Sequence, residues 1–221
     1  PFPPDKVEKE RGIILQEVRM YRDSPGSRLS ENLHQALLSR HPARLDIAGT
    51  EASVKAISRA ELAACHAAFY RPSNLCLVAA GDFRMKDLLG IVREEVPSRR
   101  LPKTSHRLPA EPARPARLRI SKQMEVSRPQ LLMGFKAPAP ARRGRELLDR
   151  RITAGLCLAL LFDASADLHQ ALYRTGLIDE DFSSGYLSER GFAYAAVGGQ
   201  TRDPRRLEKL ILDGIAKAPF R

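Results

Sequence analysis

Five prolines, at 97, 102, 109, 112 and 115, fall in a stretch from Pro97 to Lys122 where the apolar period disappears. Proline has no amide hydrogen to give to a helix or a ladder, so no long regular element runs through this stretch, and it reads as a linker. The chain is therefore expected to fold in two parts. The stretch also holds most of the excess charge: Pro97 to Met124 carries eight Lys+Arg against the single Glu111, residues 1–96 carry 14 against 13, and residues 125–221 carry 15 against 12. With 221 residues, net charge +11 and 43% hydrophobic residues, the chain has ordinary globular composition with a basic lean, which excludes a disordered tail, a collagen-like fibre or a coiled coil. The longest uninterrupted apolar run, Leu156–Phe162, is far below the ~20 residues that span a bilayer, so no membrane span is expected. Cys65, Cys76 and Cys157 are odd in number and sit in apolar patterns, which reads as buried thiols of a reducing, cytoplasmic compartment.

Before the linker, the capping box Asp5-Lys6-Val7-Glu8 predicts a helix over 6–22, stopped by Asp23-Ser24-Pro25-Gly26. An amphipathic run, Leu29 to Ser39, precedes a loop from His41 to Thr50. Ser58-Arg59-Ala60-Glu61 then opens a helix that ends by Tyr70, ahead of Pro72. Asn74–Ala80 predicts a strand and Met85–Val96 a helix. After the linker, strands are expected at Arg117–Glu125 and Pro129–Lys136, and a long helix from Arg143 to about Ala166, apolar almost all round in its second half and so a core element. A short helix at Leu168–Thr175, a hairpin of Phe182–Leu187 with Phe192–Gly198, and a last helix from Asp203-Pro204 to about Lys217 complete the chain. The expected class is α+β in two subdomains, each a mostly antiparallel sheet packed with helices, with boundaries at 1–96, a Pro/Arg-rich linker at 97–116, and 117–221.

The first helix is the informative one. Val7, Ile14, Val18 and Tyr21 form one stripe, and Glu10 and Glu17, seven residues and so only about 20° apart, lie along its edge with Ile13 beyond them. A carboxylate buried on such a face needs a cation, a strong donor or a raised pKa. One reading is a metal ligand with a supporting carboxylate, the other a half-exposed helix whose acids pair with Arg or Lys. Spacing alone favours the second.

The run Phe2-Pro3-Pro4-Asp5-Lys6-Val7-Glu8-Lys9-Glu10-Arg11-Gly12-Ile13-Ile14-Leu15-Gln16-Glu17-Val18-Arg19-Met20-Tyr21 resembles the second metal-site helix of the insulinase-like zinc metallopeptidases (pitrilysin and mitochondrial-processing-peptidase-like, M16). His41-Pro42, Ile47-Ala48-Gly49-Thr50, Phe69-Tyr70-Arg71-Pro72-Ser73-Asn74-Leu75 and Ala80-Gly81-Asp82-Phe83 are similar to family landmarks in the same order. Gly176-Leu177-Ile178-Asp179-Glu180-Asp181-Phe182-Ser183 and Gly198-Gly199-Gln200-Thr201 resemble a bacterial branch. The resemblance implies a peptidase in which zinc is held by two histidines of an inverted His-x-x-Glu-His helix and a later glutamate, with the glutamate inside that motif activating the bound water. It puts Glu17 at the zinc-ligand position and Glu10 at the upstream carboxylate that supports the site. It further implies that 1–96 is the later part of the zinc-site subdomain, that 117–221 begins the next, and that a second half-molecule or subunit of the family joins in enclosing a peptide substrate.

The departure is equally specific. Neither His-x-x-Glu-His nor His-Glu-x-x-His occurs, and His34, His41, His66, His106 and His169 include no i,i+4 pair. A lone glutamate cannot hold zinc, so the chain as given is expected to be an inactive internal fragment, with the histidines upstream of Pro1. A non-catalytic structural or substrate-presenting subunit of the same family is the alternative. Tyr173 and Asp179 stand near, but do not clearly match, the positions of a family Arg and Tyr pair that assists substrate binding. Ser183 and Ser184 have no visible base, and Gly198-Gly199 lacks the spacing of a phosphate cradle. With aromatics at 6%, no Trp and the charge excess in the linker, a specific nucleic-acid surface is not expected.

Overall fold

In the computed structural model, which describes residues 2–96, 107–138 and 144–218, the elements run α1 (Pro4–Asp23), α2 (Pro25–Leu37), α3 (Glu51–Ala56), α4 (Arg59–Phe69), α5 (Met85–Glu95), β1 (Gln130–Ala137), α6 (Arg145–Phe162), α7 (Asp167–Arg174), β2 (Ser183–Glu189), β3 (Phe192–Gln200) and α8 (Pro204–Ala216). They fall into two units, Pro1–Glu17 with Thr50–Arg107, and Val18–Gly49 with Leu108–Arg221. The mixture of helices and antiparallel sheet expected of an α+β chain is found, with one sheet rather than two among the described residues.

The first unit is helical, and its helix starts are written in the sequence. Thr50 Oγ1 accepts from the Ser53 amide at 3.1 Å while Ser53 Oγ accepts from the Thr50 amide at 2.8 Å. Ser58 and Glu61 repeat the exchange at 3.2 and 2.7 Å, which opens α4 where its capping box predicts. Each such cap is worth about 1 kcal/mol. The strand expected at Asn74–Ala80 does not form: Pro72–Asn74 is a turn of 3-10 helix, and Leu75, Leu77 and Val78 stay 61, 66 and 83% exposed. These residue types suit a pleated, half-buried surface, but a strand exists only against another edge, and this segment is not in the described sheet. The three cysteines are not all buried thiols either, since Cys65 and Cys76 are exposed and Cys157 is half-buried.

In the second unit β3 lies between β1 and β2, antiparallel to both. Alternation along β3 sends Val197 into a core with Phe162, Leu172, Leu177, Ile178, Phe182, Leu207 and Ile211, and sends Phe192 and Tyr194 into a second core with Leu33, Leu37 and Leu38 of α2 and the turn after it. Asp203 caps α8 by accepting from the Arg205 and Arg206 amides at 3.1 and 3.0 Å, which turns Leu207 and Ile211 fully inward. Gly176, at φ +64°, ends α7, its amide bonding to Tyr173 O at 2.8 Å and that of Leu177 to Leu172 O at 3.1 Å.

Gly198, opposite Leu132, needs to be glycine for another reason: a Cβ there would stand 2.0 Å from the Leu131 carbonyl oxygen and 2.9 Å from Leu132 Cα. Both obstacles are backbone, which cannot rotate aside. Gly198→Ala is expected to cost about 3 kcal/mol or more in urea unfolding; a loss below about 1 kcal/mol would contradict the close approach of β1 and β3.

Two further expectations change. Arg117–Glu125 is not a strand; it makes a backbone bond from the Arg117 amide to Ala36 O at 2.9 Å, and Leu118, the apolar side chain between Arg117 and Arg119, is 96% exposed. The long helix expected over Arg143–Ala166 is α6, and it joins the core by one face only: Phe162 is buried and Leu158 and Leu161 pack against the core, whereas Leu148, Ile152, Leu156 and Leu160 are 51–65% exposed. By length and composition the stretch Arg145–Arg174 could cross a membrane. However, five charges crowd residues 145–151 and the helix breaks after Phe162, so the uncharged run of α6 is about 16 Å long against ~30 Å of hydrocarbon.

Candidate functional site

Glu10 and Glu17 project from α1, which starts at a proline whose missing amide costs the helix nothing and continues through good helix formers to Asp23. Seven residues of rise separate the two carboxylates by about 10 Å along the axis. Neither is buried. Val18 is buried and Val7, Ile14 and Leu15 are half-buried, while Glu10, Ile13 and Glu17 face solvent. The acidic residue of α1 with a cationic partner in this unit is Glu8, bound to Arg11 Nη1 at 2.8 Å, and the other arm of that guanidinium donates to Ile57 O at 2.8 Å.

The described histidines each have partners within their own unit. His34 Nε2 shares a hydrogen bond of 2.8 Å with the Tyr194 hydroxyl. His41 Nδ1 accepts from the Ala43 amide at 3.1 Å, its Nε2 donates to Arg190 O at 3.0 Å, and its ring packs 4.6 Å from that of Phe192. His66 stacks on Tyr70 at 4.9 Å, and His169 Nδ1 donates to Phe162 O at 2.9 Å. His106 lies outside the described residues. Among the described residues no group of three or more His, Cys, Asp or Glu could hold a metal. The donors among the described residues do not make up a zinc site.

Sequence reasoning passed over two polar pairs of the second unit, one buried and one half-buried. The Glu111 side chain is 2% exposed and that of Lys136 6%, and they bond at 2.8 Å. Glu111 also accepts from the Ser39, Arg40 and His41 amides at 2.7, 2.8 and 2.7 Å, and Lys136 Nζ also donates to Leu37 O and Arg114 O at 2.7 and 3.2 Å. Burial alone would raise the Glu111 pKa; the ammonium and three amides outweigh it and hold it at about 2. Every donor of Lys136 is used, so the pair clasps the chain after α2 and is not poised for chemistry. The signal was Glu111 itself, the one acid in a basic, proline-rich stretch.

The second pair is His34 with Tyr194. Burial lowers the pKa of His34 and raises that of Tyr194, each disfavouring the charged form. Because the folded pKa of His34 is depressed, its contribution to stability is complete above about 6.5 and is lost as pH falls below that value. A urea-unfolding series from pH 8 to 5 should therefore show a decline that His34→Gln removes; an unchanged slope in the variant would contradict this.

Residues 56–218 match the family described as "Peptidase M16 inactive domain", and the chain belongs to the M16 peptidase family. It is 36% identical over 220 residues, 98% of its length, to the Bacillus subtilis (strain 168) protein named "Uncharacterized zinc protease YmfH", of which it covers 51%. The fold matches the crystal structure of an M16-like peptidase from Alicyclobacillus acidocaldarius with a TM-score of 0.86 at 34% identity, covering 98% of this chain and 52% of that one. A peptidase M16 inactive domain from Pseudomonas fluorescens, at 19% identity, shares the fold with a TM-score of 0.75 over 98% of this chain and 52% of that one. The chain thus spans about half the length of the relatives it matches.

Proposed function

We propose that the chain is the middle of a zinc-dependent metalloendopeptidase whose complete form hydrolyses peptides with a metal-activated water, and that the 221 residues alone are inert. The observation that carries this reading is Glu17, held on a regular helix with Glu10 two turns behind it, in a chain similar along its whole length to a protein named a zinc protease. Glu17 is one ligand; two histidines and a general base have to come from residues outside this sequence. A ligand on the exposed side of its helix is free to meet a metal held from elsewhere, and Glu10 would fix its orientation rather than bind. In this reading 1–96 belongs to the zinc-site subdomain, 97–116 to the connection and 117–221 to the following subdomain, in a cytoplasmic protein that pairs with a second half-molecule or subunit of its own family.

The description of the matched family as an inactive domain favours a second reading, a structural or substrate-presenting subunit with no chemistry of its own. The two separate cleanly. The 221-residue chain, desalted after exposure to zinc, should retain less than about a tenth of an equivalent and cleave no unstructured peptide, since one carboxylate does not hold the metal. The complete parent should cleave such a peptide and lose the activity to a chelator. A parent that is folded, zinc-supplied and inert would favour the second reading.

A further inference from the structure

A cleft of about 660 Å³ opens between α6, α7 and β2 in the second unit. Phe162 and Phe182 line it with their ring centroids 6.4 Å apart, and Tyr173 lines it beside them. His169 also lines it, with 9% of its surface exposed. A carbonyl oxygen only accepts, so the 2.9 Å bond between His169 Nδ1 and Phe162 O puts the proton on Nδ1 and leaves the lone pair of the neutral ring on Nε2. The described residues offer Nε2 no hydrogen-bond partner.

The charge around this cleft runs against the rest of the chain. Asp163 and Glu180 line it and no Lys or Arg does, in a sequence with 37 Lys+Arg. Asp163 directly follows the last turn of α6, where the helix dipole is already negative and no basic side chain is present. One oxygen of Asp163 accepts from the Ala164 amide at 2.8 Å. The other is left beside the helix end.

We propose that this cleft is a subsite for an arginine side chain of a bound peptide. The guanidinium would pair with Asp163 and Glu180, donate to His169 Nε2 and lie against the rings of Tyr173 and Phe182. Arginine fits better than lysine because its planar, weakly hydrated fork stacks on aromatic faces while still presenting several donors to separate acceptors. This subsite does not depend on zinc, so its test needs no hydrolysis.

The experiment is a titration of the 221-residue chain with Nα-acetyl-arginine amide, followed by the histidine ring and backbone resonances, against Nα-acetyl-citrulline amide, which has nearly the same shape and no charge. Expected are saturable shifts centred on His169 with a dissociation constant on the order of 1 mM, as for one well-placed side chain. Citrulline should bind at least about tenfold more weakly, and Glu180→Gln, an exposed substitution, should weaken arginine binding by about fivefold with the fold intact by circular dichroism. Equal binding of the two ligands, shifts centred outside the cleft, or no saturation by about 20 mM would overturn the proposal.

Discussion

Glu111→Gln is expected to lower the unfolding free energy by about 3–5 kcal/mol at neutral pH, the range for breaking a buried ion pair from one side. The loss has two sources. The Lys136 ammonium, 6% exposed, keeps its two carbonyl partners but loses its only counter-charge. The carboxylate also accepts from three consecutive amides after α2, and a glutamine would have to turn an NH2 toward donors that need an acceptor. The pH dependence follows with its sign fixed. The folded pKa, about 2, is below the ordinary 4.5, so the stabilisation is complete above about 4.5 and is lost as pH falls toward 2. About 2.5 units at 1.36 kcal/mol each correspond to roughly 3 kcal/mol. Urea unfolding at pH 7 and pH 3 should show about 2 kcal/mol of that acid-dependent loss in the wild type and a much smaller one in Glu111→Gln. A variant within about 1 kcal/mol of the wild type at pH 7 would contradict the clasp.

Local signals in this sequence were sound wherever one short segment supplied all that its structure needs. The capping box of Ser58 and Glu61, the cap of Asp203 and the glycine that ends α7 each act within a few residues, and α4, α7 and α8 begin or end there. The hairpin is also local: Arg190 and Gly191 join two alternating runs, with Gly191 at φ +94°. Elements that depend on a distant partner were not legible. Asn74–Ala80 has the composition of a strand and no described edge to pair with, and α6 is apolar enough for a core while much of it faces solvent. Composition cannot say which surfaces will meet.

The same division holds for the site. The seven-residue spacing of Glu10 and Glu17 identifies a helix face, but only a structure tells whether that face is covered, and here both carboxylates are exposed. The absence of an i,i+4 histidine pair is plain in the sequence, whereas the partners of His34, His41 and His169 in the second unit are visible only in the structure. Glu111 stands out as the one acid of its stretch, but its role was not legible, because its four hydrogen-bonding partners, Ser39, Arg40, His41 and Lys136, are far from it in sequence.

The second large effect concerns Glu17. On the proposed reading, Glu17→Gln in the complete parent should reduce kcat/KM for an unstructured peptide about a thousandfold or more, because a zinc ligand would be lost and with it the activation of water that the metal would supply. Glu10→Gln, which by this reading only steadies the site, should cost about 10–100-fold. Both positions are exposed on α1, so neither substitution should alter the thermal unfolding of the metal-free protein by more than about 0.5 kcal/mol equivalent. Equal losses at the two positions would remove the distinction between ligand and support.

The most direct measurement is the zinc content of the complete parent, purified without added metal and compared with its Glu17→Gln variant by mass spectrometry of the native protein. The account predicts one zinc per active site in the wild type and none retained in the variant. A variant that keeps its zinc would contradict the assignment of Glu17 as a ligand.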